Sequence, residues 1–142
     1  MKVKKEEKWL WRFLGFETLQ GNRPVQEWFD ALDDEARVEL VDTLGDLQVL
    51  PNHLWIRPKF DRLEGDISEI IGWTASDELR IYGYFPGQRQ TYTFLNGKSK
   101  KVANDKHGKR IAKDRLKLLR RGEARSHEFE FNRDTTEKTE QK

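Results

Sequence analysis

Two neighbouring segments in the middle of the chain, LRIYGYF at 79–85 and QTYTFLN at 90–96, have the alternating pattern of β-strands. Both are rich in β-branched and aromatic residues, and the Pro-Gly connection at 86–89 favours a tight turn, so the pattern predicts a β-hairpin. Strand side chains point to opposite faces in turn. We expect one face of the first strand to be buried, and it consists of Leu79, Ile81 and Phe85. We expect the other to stay open, and it consists of Arg80, Tyr82 and Tyr84.

Three other stretches repeat apolar residues with the period of an α-helix. The first begins at Pro24, and the second is capped by Asp33 or Asp34. The third covers 105–121 and ends at Gly122. The predicted apolar stripes are Val25, Trp28, Phe29 and Leu32 in the first helix, Ala36, Leu40, Val41, Leu44 and Leu47 in the second, and Ile111, Leu118 and Leu119 in the third.

Two further strands are predicted at 9–16, a short apolar run that also fits a helical turn, and at 66–74. Residues 51–65 lack any period and are predicted to form an irregular loop. The succession is β-α-α-β-β-β-α, which predicts an α+β fold. In this fold the two N-terminal helices pack on a small antiparallel sheet, and a basic helix closes the chain.

The predicted domain covers residues 9–121. Residues 1–8 are charged and aperiodic, and we expect them to form a flexible leader. Residues 122–142 form a charged tail in which 127–131 can add one edge strand, and disorder is predicted after Asn132.

Charge is strongly segregated along the 142-residue chain, although its net charge is only +2. Residues 21–50 hold eight acidic and two basic residues, whereas residues 98–121 hold eleven basic and two acidic ones. A basic segment of this kind attracts polyanions, although a solvated helix without a partner has the same composition.

The chain has no cysteine and no apolar run of bilayer length, so we expect a cytoplasmic protein without membrane contact.

The chemistry-bearing residues favour nucleic acid over a metal or a nucleotide cofactor. The three histidines are far apart, and neither a phosphate-binding glycine loop nor a nucleophile elbow is present, so no metal or cofactor is predicted. Arginine and lysine pair with phosphate oxygens and aromatic rings stack on bases. The candidate residues are Arg80, Tyr82, Tyr84, Lys98, Lys100 and Lys101 of the hairpin, and Arg57, Lys59 and Arg62 of the loop. The same outer face also fits an ordinary half-exposed sheet.

Such a surface can cleave RNA without a metal, because the 2′-hydroxyl of RNA is an internal nucleophile. The protein must then hold that hydroxyl in line, assist its deprotonation and stabilise the charge that develops at phosphorus.

Five strings in this order are similar to the RelE/ParE superfamily of toxin–antitoxin toxins, most closely to its HigB-like, phage-derived branch. They are GNRPVQEWFDAL at 21–32, RPKFDRLEGDISEI at 57–70, LRIYGYF at 79–85, LNGKSKK at 95–101 and IAKDRLKLL at 111–119. The resemblance implies a RelE/ParE-like fold and a ribosome-dependent, metal-independent endoribonuclease that cleaves mRNA. It also implies a cognate antitoxin, a helix-turn-helix HigA-like protein.

The resemblance also implies roles for individual residues. Arg80 matches the strand arginine that contacts the scissile phosphate, and Lys100 and Lys101 match a lysine pair after the last strand. The catalytic set implied is Arg80, Lys100, Lys101 and Lys59. Arg57, Lys59 and Arg62 match the basic loop that contacts RNA. The predicted RNA-binding set is Arg57, Arg62, Tyr82, Tyr84, Lys98 and Asn96, in which the tyrosines come from the strand alternation and not from the family pattern.

The chain departs from this family pattern at two places. Ile71 stands where relatives usually have arginine, and Asn96-Gly97-Lys98 stands where they often have His-Gly-Phe. Loss of a single oxyanion donor costs about 2.7–4 kcal/mol of transition-state stabilisation in other enzymes. Two alternatives therefore stay open, a catalytically weakened RNA-binding or regulatory protein and a ParE-like toxin that inhibits gyrase.

Overall fold

The computed structural model describes residues 10–99 and 105–131, which form three α-helices and a six-stranded sheet. The helices are α1 (Pro24–Asp30), α2 (Asp34–Gln48) and α3 (Lys106–Arg120). The strands are β1 (Arg12–Thr18), β2 (Phe60–Arg62), β3 (Ser68–Trp73), β4 (Glu78–Tyr84), β5 (Thr91–Lys98) and β6 (Ala124–Glu128). The α+β prediction is confirmed. The predicted leader at 1–8 and the predicted disorder after Asn132 lie outside the described residues.

The sheet is mixed, so the prediction of an antiparallel sheet is wrong at one pairing. The strand order is β2-β3-β4-β5-β1-β6, and β1 pairs in parallel with β5 and antiparallel with β6. The pairs from β2 to β5 are antiparallel. β1 thus lies between two strands that are distant in sequence, a choice that no local hydrophobic pattern specifies.

One face of the sheet is covered by α1 and α2, and it holds the larger core. Leu79 and Ile81 are fully buried there and Phe85 packs against them, as the alternation predicted. Asp33 caps α2 by accepting a hydrogen bond from the backbone N–H of Ala36. Most of the predicted apolar stripes join this core, namely Val25 and Phe29 of α1 and Ala36, Leu40, Leu44 and Leu47 of α2.

The opposite face is partly covered by α3, which corrects the prediction of an open face. Tyr82 and Tyr84 are 1% and 8% exposed and pack in a second core with Ala112 and Leu116. Ala112 and Leu116 are the buried apolar residues of α3, whereas Leu118, one of those predicted, is only half-buried. Leu118 and Leu119 still pack against this second core, as predicted, and the sequence pattern missed Ala112 and Leu116 as its buried centre.

Two strands form where the sequence predicted a loop and a tail. β2 lies inside the predicted irregular loop, and its pairing with β3 extends the sheet at one edge. β6 forms the other edge and begins earlier than the predicted 127–131 segment. Beyond it, Phe129 is buried between the rings of Phe29 and Phe94, at centroid distances of 5.4 and 4.7 Å.

No helix within the described ranges is long and apolar enough to cross a membrane.

We predict that the segment after β6 stabilises the whole fold. Replacing Phe129 with alanine removes a buried ring from the larger core and should lower the free energy of unfolding by about 3–5 kcal/mol, measured by chemical denaturation. The exposed neighbour Glu130 is the control, and Glu130→Ala should change stability by less than about 0.5 kcal/mol. Equal stability of Phe129→Ala and the wild-type protein would show that this segment does not belong to the cooperative unit.

Candidate functional site

The α3-side face of the sheet is uncovered at the end where β3 finishes and β4 begins. Ile71, Arg80 and Lys98 form one row across β3, β4 and β5, because Arg80 is paired with both of the others in the sheet register. Trp73 and Glu78 form the next row outward. Side chains in such a row point to the same face, so Arg80 and Lys98 lie beside each other.

A pocket of about 340 Å³ opens over these rows. Its charged lining residues are Arg57, Arg80, Lys109, Asp61, Glu69, Glu78 and Asp105. Its other lining residues are Pro58, Leu63, Ile71, Trp73 and Tyr82. Among the described lining residues, three cations thus face four carboxylates.

Arg80 is the central cation of the pocket, and its side chain is 15% exposed. It donates two hydrogen bonds to Glu78 Oε1, at 3.0 Å from Nε and 2.6 Å from Nη2. Burial alone would lower the pKa of Arg80, but its contacts with Tyr82 and Glu78 and the charge of Glu69 raise it above the ordinary value. The guanidinium is therefore permanently charged and held in one orientation, with donors left for a ligand.

Glu69 is the group in the pocket best suited to accept a proton. Its side chain is 9% exposed, its Oε1 lies 4.0 Å from Arg80 Nε, and that oxygen has no hydrogen-bond partner among the described residues. Burial raises the pKa of Glu69, and the carboxylates of Asp61 and Glu78 add to this effect. A buried carboxylate with a raised pKa and a free oxygen beside a fixed cation is a general-base arrangement.

Asp105 forms the wall of the pocket where α3 begins. It is 4% exposed and caps the helix by accepting the N–H of Gly108 at 3.0 Å. It also accepts the hydroxyl of Tyr82 at 2.8 Å, and Lys98 Nζ lies 3.6 Å away. Burial raises the pKa of Asp105, but these hydrogen bonds and the Lys98 charge outweigh burial, so that pKa falls below its ordinary value.

The two tyrosines predicted to stack on bases are unavailable for that role. The hydroxyl of Tyr82 donates a hydrogen bond to Asp105, and burial raises the pKa of Tyr82 above its ordinary value. Arg120 of α3 lies over the ring of Tyr84 at 5.7 Å. The prediction of a tyrosine stacking surface is wrong because α3 covers both rings.

Asn96 joins the sheet to α3 instead of facing a ligand. Its Nδ2 donates to the carbonyl of Gly108 at 3.1 Å, and its Oδ1 accepts from Arg115 at 3.4 Å. Both ends of the amide are thus engaged with the helix, and the RNA-contact prediction for Asn96 has no free group to support it.

The sequence predicted that three cations of the 51–65 loop approach Arg80, but the structure places these cations apart from one another. Arg57 lines the pocket, and its side chain is 80% exposed. Lys59 instead pairs with Asp46 of α2 at 2.7 Å. Arg62 lies over the rings of Phe60 and Phe85, on the sheet face that α1 and α2 cover, so it points away from Arg80. Lys59 and Arg62 are therefore not brought to the pocket.

Lys100 and Lys101 lie outside the described residues. Lys98 is the member of the predicted lysine cluster that the structure describes, and it lies next to Arg80 across the strands.

Several pocket residues were not singled out from the sequence for their chemistry, namely Asp61, Glu69, Trp73, Glu78, Asp105 and Lys109. Strand alternation was the available signal, because Ile70 faces the larger core and thereby directs Glu69 and Trp73 to the opposite face. Trp73 is 40% exposed, which makes it the indole in this pocket that can stack on a flat ligand.

Within the two described ranges, no group of three or more histidine, aspartate or glutamate side chains is arranged to hold a metal ion.

One protein family matches the part of the chain that contains the whole pocket. A family model described as phage-derived protein Gp49-like (DUF891) matches residues 27–117, which is more than half of the chain and includes every residue that lines the pocket. A search of curated proteins finds no significant match.

The hydrogen bond between Tyr82 and Asp105 should stabilise the fold, because it satisfies a buried carboxylate. We expect Tyr82→Phe to lower the free energy of unfolding by about 1.5–3 kcal/mol in chemical denaturation, as for other hydrogen bonds to charged groups. Tyr84→Phe is the matched control and should cost less than about 0.5 kcal/mol, since the hydroxyl of Tyr84 makes no hydrogen bond with any described residue. Equal losses in the two variants would contradict this role for the Tyr82 hydroxyl.

Proposed function

The chain belongs to the phage-derived protein Gp49-like family, and from this premise we propose that it is the toxin of a toxin–antitoxin pair and cleaves RNA at the Arg80 pocket. The RelE/ParE, HigB-like assignment is part of this proposal. Its substrate is mRNA on the ribosome, in the cytoplasm, and its inhibitor is a cognate antitoxin of the HigA-like, helix-turn-helix kind.

One observation carries the proposal. Glu69 has a raised pKa and one buried carboxylate oxygen without a hydrogen-bond partner among the described residues, and it lies beside an arginine that Glu78 holds in one orientation; both line the same pocket. A proton acceptor next to a fixed cation is what cleavage by the 2′-hydroxyl requires.

The reaction transfers one proton to the enzyme and one to the leaving group. The Glu69 carboxylate takes the proton of the 2′-hydroxyl, whose oxygen then attacks the adjacent phosphorus. The guanidinium of Arg80 stabilises the negative charge that develops on the non-bridging oxygens. The bond from phosphorus to the 5′-oxygen breaks, and that oxygen takes a proton from an ammonium group. The products are a 2′,3′-cyclic phosphate and a free 5′-hydroxyl.

Several lysines are candidates for the proton donor and the second cation. Lys98 lies beside Arg80, and Lys109 lines the pocket from α3. Lys100 and Lys101 keep the catalytic role that the sequence resemblance implies. Arg57 lies at the rim, where an exposed arginine can contact a neighbouring phosphate. Trp73 takes the stacking role that the buried tyrosines cannot fill.

A second candidate function is RNA binding without cleavage. Ile71 lies directly opposite Arg80 in the sheet, so the position beside the central cation holds an aliphatic side chain. Glu78 and Glu69 also offset much of the positive charge of Arg80. Both features reduce the stabilisation available to a pentavalent phosphorane and favour a protein that binds RNA but cleaves it slowly.

The proposed function is tested by induced expression with mapping of mRNA 5′ ends. Wild-type protein should arrest growth and create new 5′ ends, and Arg80→Ala should relieve the arrest and lower cleavage by at least about 10²-fold, as loss of an oxyanion donor does elsewhere. Arg62→Ala is the control, because it removes the same charge from the opposite face of the sheet and should leave the arrest unchanged.

Each alternative predicts a different result in the same experiment. Arrest with intact mRNA and DNA damage would replace the proposal with gyrase inhibition. Salt-sensitive RNA binding without new 5′ ends would replace it with a non-cleaving RNA-binding protein. Arrest and cleavage that both persist in Arg80→Ala would refute the site.

The pH dependence of cleavage should identify Glu69 as the base. Only the ionised carboxylate accepts a proton, so the cleavage rate of purified protein should fall as the pH falls through the raised pKa of Glu69. Glu69→Gln should lower the rate by about 10²- to 10⁴-fold and abolish this acidic limb. Asp61→Asn should keep the limb and move it to lower pH, because the Asp61 charge contributes to the raised pKa. An unchanged acidic limb in Glu69→Gln would exclude it as the base.

A further inference from the structure

A second groove, of about 560 Å³, runs along the outer side of α3. Four of its cations recur at helical spacing and therefore share one face of the helix, namely Lys106, Arg110, Lys113 and Lys117. Its remaining lining residues are Lys109, Asp114 and Glu64. We refer to it as the α3 groove.

Among the described residues, the α3 groove has a larger excess of positive charge than the Arg80 pocket. Five described cations and two carboxylates line the groove, whereas three described cations and four carboxylates line the pocket. Lys113 pairs with Glu64, but Lys106, Arg110 and Lys117 are exposed and have no ion-pair partner among the described residues. The described part of α3 is therefore a source of the positive field that attracts a polyanion.

The two depressions are adjacent, because Lys109 lines both the Arg80 pocket and the α3 groove. A polyanion bound in one therefore lies close to the other.

The lining of the α3 groove favours a nucleic-acid backbone over a protein. Every lining residue that the structure describes is charged, and no apolar or aromatic side chain is among these. The centre of a protein interface is typically apolar and depleted of charge, whereas surfaces that bind phosphates are charged and wet.

We propose that the α3 groove binds the sugar-phosphate backbone of the RNA strand whose scissile phosphate enters the Arg80 pocket. This inference rests on the proposed function for the identity of the reacting strand. In this arrangement α3 supplies affinity without sequence preference, and the Arg80 pocket supplies the chemistry.

The test is the salt dependence of binding to a single-stranded RNA oligonucleotide that 2′-O-methylation protects from cleavage. The groove variant combines Lys106→Gln, Arg110→Gln and Lys117→Gln. Each lost phosphate contact should lower the slope of log K against log salt by about 0.7, so the slope should fall by about 2 and affinity at 0.1 M salt by roughly 100-fold.

The control variant combines Arg12→Gln, Arg37→Gln and Arg89→Gln. It removes the same total charge from residues that line neither depression, so it should leave the slope near the wild-type value.

In single-turnover cleavage of unmodified RNA, the groove variant should need about 100-fold more protein for half-saturation and reach the wild-type rate at saturation. Arg80→Ala should show the reverse, a lower saturating rate with little change in half-saturation.

The outcomes separate this inference from the proposed function. A reduced slope in the groove variant, together with no cleavage by wild-type protein, would support the groove and refute the nuclease. Cleavage by wild-type protein with equal slopes in the groove and control variants would refute the groove and leave the nuclease intact. A groove variant that keeps its RNA affinity but fails to bind an acidic protein partner would also overturn the inference, in favour of a protein ligand.

Discussion

The placement of α3 depends on one buried carboxylate, that of Asp105. An isolated ionised carboxylate in the interior is very costly, so it must be fully paired. Asp105 is paired by the first turn of α3, by Tyr82 of β4 and by Lys98 of β5. These bonds join the start of the helix to two central strands. They thereby determine how far α3 covers the sheet, and the Arg80 pocket begins where that cover stops.

The pocket and the α3 groove have complementary electrostatics. Inside the pocket, carboxylates offset the charge of Arg80 but also hold its guanidinium in place, and Glu69 remains as a partly desolvated base. A strongly cationic pocket would bind phosphate more tightly, but it would lower the pKa of Glu69 and weaken it as a base. Under the proposed function, charge on exposed α3 residues such as Lys106, Arg110 and Lys117 reduces this conflict, because solvent screens it from the buried carboxylate. Lys109, which lines both the pocket and the α3 groove, does lower the pKa of Glu69.

Part of this arrangement could be predicted from local patterns. Alternation placed Leu79 and Ile81 in the core and Arg80 on the opposite face, because the period of a strand leaves no other choice. The same alternation placed Tyr82 beside Arg80 correctly but said nothing about what covers that face. The loop cations show the same limit, since Arg57 approaches the pocket while Arg62 lies over Phe85 on the other face.

The helices, the hairpin and the charge of α3 could be read from local sequence, because they depend on periodicity and composition within short segments. Only contacts across the fold insert β1 beside β5, bury Tyr82 under α3 and leave a buried oxygen of Glu69 4.0 Å from Arg80, without a hydrogen-bond partner among the described residues. Those outcomes depend on contacts between residues far apart in the chain. Burial, and with it the pKa of a group such as Glu69, is a property of the surroundings that distant segments create, so a local pattern cannot contain it.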